Sequence, residues 1–180
     1  ADSLRIFEMF LGPLEQVKPW QTKGIVGVHR FLKRIWKLYV GSDGLLNSLV
    51  QQKSDSPLVL KELHKTIKKV TFDTENLRLN TAIASMMEFL NVVSKSSGLS
   101  FDSAKKFCLL VSPYAPHFAE ELWEKLGSRT SIQEEPWPVF EQDLLQEDTV
   151  TFAVMINGKT RGTIELDKSF GKQQVLDQVK

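Results

Sequence analysis

The sequence predicts a mainly α protein: an antiparallel helical bundle followed by the truncated start of a small α/β domain. Three observations predict it. Six stretches before residue 128 repeat their apolar residues with a period near 3.6. Capping residues and breakers fall at the ends of those stretches. After residue 148 the pattern turns to alternation around Asn157-Gly158.

Asp2 or Ser3 can cap a first helix whose apolar side holds Leu4, Phe7, Met9 and Phe10, and Gly12-Pro13 ends it. Residues 13–23 read as a connector anchored by Trp20. Residues 24–40 carry the clearest helical stripe: Ile25, Val28, Phe31, Leu32, Ile35, Trp36 and Tyr39. Residues 41–57 are rich in Gly, Ser and Asp around Leu45, Leu46, Leu49 and Val50, and read as a loop with some helix. Leu60, Leu63, Ile67 and Val70 build an amphipathic helix over 58–72. Asn80 or Thr81 can cap another, with Ile83, Met86, Met87, Leu90 and Val93, ending near Ser96-Ser97-Gly98. Ser100 caps a helix through Val111, which Pro113 stops. Pro116 suits the first position of the last helix, with Glu120 and Glu121 near its positive end and Gly127 past its final turn. Helices of this kind must cover one another's stripes, so a bundle over 1–130 is the economical packing.

Residues 131–148 are acidic and Pro-rich, with Trp137 between Pro136 and Pro138, and read as a linker. Residues 150–156 and 160–166 flank Asn157-Gly158, the strongest short hairpin signal. A lone hairpin is marginal, so 149–180 reads as the beginning of a larger module. The chain opens on Ala1 and closes inside a helical pattern (Val175, Leu176, Val179), as expected of a piece excised from something longer.

Composition bounds the chemistry. In 180 residues, 42% are apolar and 25% charged, ordinary for a globular chain. No apolar run reaches the ~18 residues of a membrane span, and no leader pattern opens the chain. Cys108 is alone, which excludes an internal disulfide and a cysteine-cluster zinc site, and its apolar neighbours predict a buried, inert thiol. His29, His64 and His117 fall on three different helices, so no metal ligand set is expected. There is no phosphate-binding glycine loop or nucleophile elbow. Glu120 and Glu121 occupy adjacent helical positions, which do not face each other, so they form no carboxylate dyad. His117, at a helix start, reads as a packing or capping group. No catalytic residue is expected in this chain.

The net charge is +1, yet residues 23–70 hold ten Lys/Arg against three Asp/Glu, and residues 113–149 hold two against nine. Such polarity can steer a polyanion to one side; ordinary solvated helix faces account for it equally well. The placement is more informative. Arg30, Lys33, Arg34 and Lys37 recur at i, i+3, i+4 and i+7, on one face opposite the apolar stripe. Lys61, Lys65, Lys68 and Lys69 do the same on the 58–72 helix, flanked by His64. Two such rows can match the phosphates of a nucleic acid. Lys159 and Arg161 alternate beside the hairpin turn and read either as a further phosphate contact or as a solvated hairpin. Trp36 and Tyr39 are able to stack on bases, but lie on the apolar side and read as core.

Several motifs also resemble a known family. The opening 1–10 resembles the helix that follows the catalytic core of class I aminoacyl-tRNA synthetases. Trp20 with Gly24-Ile25-Val26-Gly27-Val28-His29-Arg30-Phe31-Leu32-Lys33-Arg34-Ile35-Trp36 looks like the bacterial-type leucyl-tRNA synthetases. The same holds for His64-Lys65-Thr66-Ile67-Lys68-Lys69-Val70-Thr71 and for Asn80-Thr81-Ala82-Ile83-Ala84. It holds again for Pro113-Tyr114-Ala115-Pro116-His117-Phe118-Ala119-Glu120-Glu121-Leu122-Trp123 and for Ile156-Asn157-Gly158-Lys159-Thr160-Arg161. Six pieces in order, from end to end, are specific. Leu79 departs from the family's usual Phe.

The resemblance implies a helical anticodon-binding domain for 1–130 and the start of a C-terminal tRNA-contacting domain for 149–180. It implies that the parent enzyme is a leucine–tRNA ligase that uses ATP and Mg, works as a monomer, and charges leucine tRNA for protein synthesis. The family's His-Ile-Gly-His and Lys-Met-Ser-Lys-Ser signatures and its editing domain are not in this chain, so the fragment is expected to be non-catalytic and to need no cofactor. Its partners would be leucine tRNA and the rest of the synthetase, with no membrane. The compartment would be the cytoplasm in a bacterium, or the mitochondrion or plastid in a eukaryote. The family's bundle holds the tRNA body, which Arg30, Lys33, Arg34, Lys37, Lys65, Lys68, Lys69, Lys159 and Arg161 would grip. The equivalent domain of a valine or isoleucine enzyme is an alternative. A single Cys cannot build the zinc module common at the end of isoleucine enzymes, and the Asn157-Gly158-Lys159 hairpin favours leucine. An alternative of another class is a helical protein-interaction module that docks a basic partner through 113–149.

Overall fold

A computed structural model of the chain describes residues 1–20, 24–51, 54–145, 149–156 and 159–167. It divides into two compact units, Ala1–Leu144 and Leu145–Lys180. The first is a helical bundle: α1 (Asp2–Phe10), α2 (Ile25–Tyr39), α3 (Pro57–Glu75), α4 (Leu79–Val93), α5 (Phe101–Val111) and α6 (Pro116–Lys125). Two-residue strands β1 (Val50–Gln51) and β2 (Leu99–Ser100) pair in parallel. The second unit contains the antiparallel hairpin β3 (Thr149–Ile156) and β4 (Lys159–Asp167).

The expected stripes build one continuous core. Ile35, Leu63, Ile67, Ile83, Phe89 and Phe107 are fully buried, and Phe89 meets Phe107 at 4.8 Å between ring centroids. Full burial of each such side chain contributes ~1.5–3 kcal/mol. Two core hydroxyls are paired, whereas the buried His64 Nε2 and Trp123 Nε1 find no hydrogen-bond partner among the described residues. The Tyr39 hydroxyl donates to the Ala104 carbonyl at 2.6 Å, and the Tyr114 hydroxyl lies 2.6 Å from the Thr74 hydroxyl. Cys108 is buried as expected; burial pushes its thiol well above the ordinary range, with the Glu120 charge adding to the rise, so the thiolate that would make it reactive is disfavoured.

α1 departs from the expectation at both ends. Its buried apolar residues are Ile6 and Phe7, whereas Leu4 and Phe10 are exposed. Asp2 does not cap its own helix. Its carboxylate accepts from the Phe118 backbone N–H at 2.6 Å and contacts His117 Nδ1 at 2.9 Å. Phe118 is the third residue of α6, so Asp2 caps a helix more than a hundred positions away.

Asp55 braces the start of α5 from a distance. It accepts from the Ser100 N–H and from the Ser100 and Ser103 hydroxyls, each at 2.6 Å, while Ser100 caps α5 as expected. Of residues 41–57, those described before Pro57 hold no helix. Asn47 folds the segment back, its side-chain amide donating to the Lys37 carbonyl at 2.8 Å and its N–H to the Tyr39 carbonyl at 2.7 Å. The Leu99 N–H then reaches the Leu49 carbonyl at 2.8 Å. Gly98 must be glycine here: its φ is +125°, and a Cβ would strike the Leu49 carbonyl oxygen.

α3 and α4 form the central helical hairpin. Its turn is a Schellman motif, with Arg78 N–H on the Asp73 carbonyl at 2.7 Å and Leu77 N–H on the Thr74 carbonyl at 3.1 Å. The left-handed position is Leu77, at φ +55°. The same motif ends α6 with the expected Gly127, at φ +83°. Neither Asn80 nor Thr81 caps α4, whose N-cap is Arg78. Instead the Thr81 hydroxyl joins buried Asp73 at 2.7 Å, tying the start of α4 to the end of α3.

The segment expected as a linker packs on the bundle up to the unit boundary. Ile132 is buried, and Trp137 Nε1 donates to the Thr71 hydroxyl at 2.8 Å. The Glu141 N–H donates to Nδ1 of buried His64 at 2.8 Å. The Pro-rich composition marks an extended strap, whose aromatic residues supply the burial that charge counting overlooks. In the second unit, Ile156 faces Lys159 in an antiparallel register that shifts between Val154 and Met155, where Arg161 is left without an opposite residue. The turn residues Asn157-Gly158 and the helical pattern around Val175, Leu176 and Val179 lie outside the described residues.

Two outcomes test this architecture. Leu77 is well exposed, so Leu77→Gly removes left-handed strain at little hydrophobic cost; urea melts should show ~1 kcal/mol of added stability. His64 accepts at Nδ1, so protonating it breaks the bond to the strap. Burial lowers its pKa from 6.5; Glu141 opposes this, Lys106 adds to it and Asp102 opposes it. Because the folded value is the lower one, its stabilising effect is complete above the unfolded value and is lost as pH falls through the folded value. Urea midpoints at pH 7.5 and about 5 should differ more for the natural chain than for His64→Gln.

Candidate nucleic-acid interface

α2 buries Val28, Phe31, Leu32, Ile35, Leu38 and Tyr39, which turns its other side to solvent. Arg30, Lys33 and Lys37 are exposed there. Among the described residues none of the three forms a salt bridge. Arg34 is half-buried, and its Nη2 donates to Asn91 Oδ1 on α4 at 2.8 Å. That bond uses one of five guanidinium N–H groups and fixes the plane of the rest. The α2 row is therefore continuous and cationic, and one member is held in place by a neighbouring helix.

The α3 row differs from the expectation of a free ridge. Lys69 is paired with Asp73 at 2.9 Å, and Lys68 Nζ stands 5.5 Å from the centre of the Phe140 ring. Lys61 and Lys65 are half-buried and engaged in contacts of their own. His64, expected beside them at the surface, is buried under the strap. The strap accounts for Lys68, through Phe140, and for His64, through Glu141, while Lys69 is held by Asp73 of its own helix. Lys68 and Lys69 nevertheless remain exposed. Lys159 and Arg161 are exposed on β4, in the second unit.

Beside Lys33 opens a cleft of about 610 Å³ between α1, α2 and α6, whose walls include His29, Trp36, His117 and Phe118. Trp36, expected in the core, is only half-buried and meets Phe118 at 6.1 Å between ring centroids. Ser3 Oγ lies 3.3 Å from His29 Nδ1, but the nearby Asp2 carboxylate is bonded to His117. The serine–histidine contact thus lacks the orienting carboxylate of a hydrolytic triad. Among the described residues no three His, Cys, Asp or Glu side chains converge to hold a metal, and no helix is long and apolar enough to cross a membrane.

The sequence reading missed Asn91 and the cleft. Asn91 is an ordinary exposed polar position on α4, and only the helix crossing brings it to Arg34. The cleft joins residues from three elements far apart in the chain.

Comparison with known proteins gives these features a context. Residues 58–176 match a family model described as the anticodon-binding domain of tRNA ligase. A leucine–tRNA ligase of Chlorobaculum parvum is 46% identical over 180 residues, covering all of this chain and 22% of that protein. Another, from Chlorobium phaeovibrioides, is 47% identical over 180 residues with the same coverage. The chain thus spans about a fifth of the length of these relatives. A solved ternary complex of an Agrobacterium radiobacter LeuRS with tRNA and LeuAMS matches with a TM-score of 0.75 at 24% identity. That match covers 99% of this chain and 25% of the other, and shows a shared fold.

Proposed function

Because the chain belongs to the anticodon-binding-domain family of tRNA ligases, we propose that it is the tRNA-holding part of a leucine–tRNA ligase. The leucine assignment rests on the end-to-end relatives of that name. The observation that carries the binding role is the α2 row, where Arg30, Lys33, Arg34 and Lys37 share an open face without carboxylate partners among the described residues. Such a face grips phosphates and positions an RNA without reading its bases. Lys65, Lys68 and Lys69 extend the grip with a smaller share, since the α3 side chains already have neighbours within the fold. Lys159 and Arg161 supply contacts from the second unit.

In this reading the attachment of leucine, with its ATP and Mg, belongs to the parts of the ligase beyond these residues. The fragment alone binds tRNA and does not charge it. The enzyme acts as a monomer in the cytoplasm of a bacterium, the kind of organism from which the relatives come. A role as a protein-docking module through the acidic 113–149 stretch is less favoured. Glu120 there accepts from the Ile132 N–H at 3.0 Å and Glu121 stands 3.8 Å from Lys125, so part of that charge serves the fold.

The double substitution Arg30→Ala with Arg34→Ala tests the assignment in the complete ligase. The Michaelis constant for leucine tRNA should rise roughly tenfold or more, with leucine-dependent ATP–pyrophosphate exchange unchanged. The dependence of log affinity on log salt should flatten by ~1.5–2. Equal tRNA kinetics for the variant and the natural enzyme would reject the α2 row as the site.

A further inference from the structure

A second cavity lies on the other side of the α2 row. It is a slot of about 250 Å³ between α2 and α4, closed at one end by the segment around Leu49 and Gly98. Two cations of the row, Arg34 and Lys37, stand at its rim, and Leu38, Leu90 and Val93 contribute its apolar wall. No carboxylate lines it among the described residues. The larger cleft beside Lys33 differs in this respect, because Asp2 and Glu121 line it and would repel a phosphate.

We propose that this slot receives one unstacked ribonucleotide of the bound RNA, its phosphate on Arg34 and Lys37 and its base against the aliphatic wall. The inference rests on the tRNA-binding reading and refines it. An apolar floor beneath two cations suits a nucleotide, which brings a flat hydrophobic base and an anion together. An aliphatic peptide side chain would fill the floor but leave both cations partly dehydrated without a counter-charge. The volume admits a single base with its sugar and excludes a duplex. Single-stranded loops and bulges are the parts of an RNA that present such bases. Asn91 is then a positioning residue: its bond to Arg34 Nη2 holds the guanidinium at the rim with its remaining N–H groups free to fork onto a phosphate.

The test is binding of an unmodified leucine tRNA transcript to the 180-residue chain across a salt series. Ser94 is exposed and lines the slot, so Ser94→Phe plugs it without removing a cation. The expected result is an affinity about tenfold lower at fixed salt, with the salt slope retained. Arg34→Ala should weaken binding and flatten the slope. Asn91→Ala should weaken it less, and should shrink the added effect of Arg34→Ala. If Ser94→Phe fails to fold by circular dichroism, Leu49→Ser at the partly exposed rim carries the same expectation. A plugged chain with natural affinity, while Arg34→Ala still weakens binding, overturns the slot and leaves the tRNA reading standing. If Arg34→Ala together with Arg30→Ala also changes nothing, the tRNA reading falls with it. A plugged chain that keeps its RNA affinity but loses a protein ligand likewise overturns the proposal.

Discussion

Burial of one side of α2 decides where its charge goes. Val28, Phe31, Leu32 and Ile35 leave water together, and at ~100° per residue the positions between them must face outward. Three of those positions, Arg30, Lys33 and Lys37, are consequently exposed, and Arg34 lies at the edge where α4 crosses. The hydrophobic contact is non-directional and large, whereas an exposed cation gains little from any one neighbour. Packing therefore sets the orientation of the helix, and the cationic face follows from it. Everything proposed for binding depends on that order of effects.

The bundle is held in register by three aspartates acting at a distance. Asp2 caps α6, Asp55 braces Ser100, the N-cap of α5, and buried Asp73 joins the end of α3 to the start of α4. Each carboxylate meets donors that a helix terminus would otherwise leave unsatisfied, or joins two elements that burial brings together. Asp2 is the most consequential for the site. It links α1 to α6 beside the cleft that Lys33 and Trp36 border on α2. The electrostatic work of these acids is internal, which is one reason why the near-neutral sum of charges coexists with an open cationic face.

The two lysine and arginine rows look alike in the sequence and are unlike in the structure. Both have helical spacing opposite an apolar stripe. On α2 Arg30, Lys33 and Lys37 stay exposed among the described residues, but along α3 runs the strap carrying Trp137, Phe140 and Glu141. Lys68 is drawn toward an aromatic ring and Lys69 toward Asp73, while His64 sinks beneath the strap. Spacing along one helix can reveal the Lys69–Asp73 pair, four positions apart, but not the cover over Lys68 and His64, because the covering residues come from 66 to 77 positions further along the chain.

The sequence by itself determined the helices, most of their ends, the hairpin pairing of β3 with β4 and the family likeness. These are encoded locally, in the 3.6-residue period, in Ser100, Pro116 and Gly127, and in short motifs that survive reading one segment at a time. Tertiary structure alone decided that Asp2 caps α6 and not α1, that the Pro-rich stretch is a strap, that Trp36 edges a cleft, and that Asn91 holds Arg34. In each case the partners are distant in the chain and meet only when the apolar stripes are buried against one another. The free energy that brings them together belongs to the whole core and is written in no single segment.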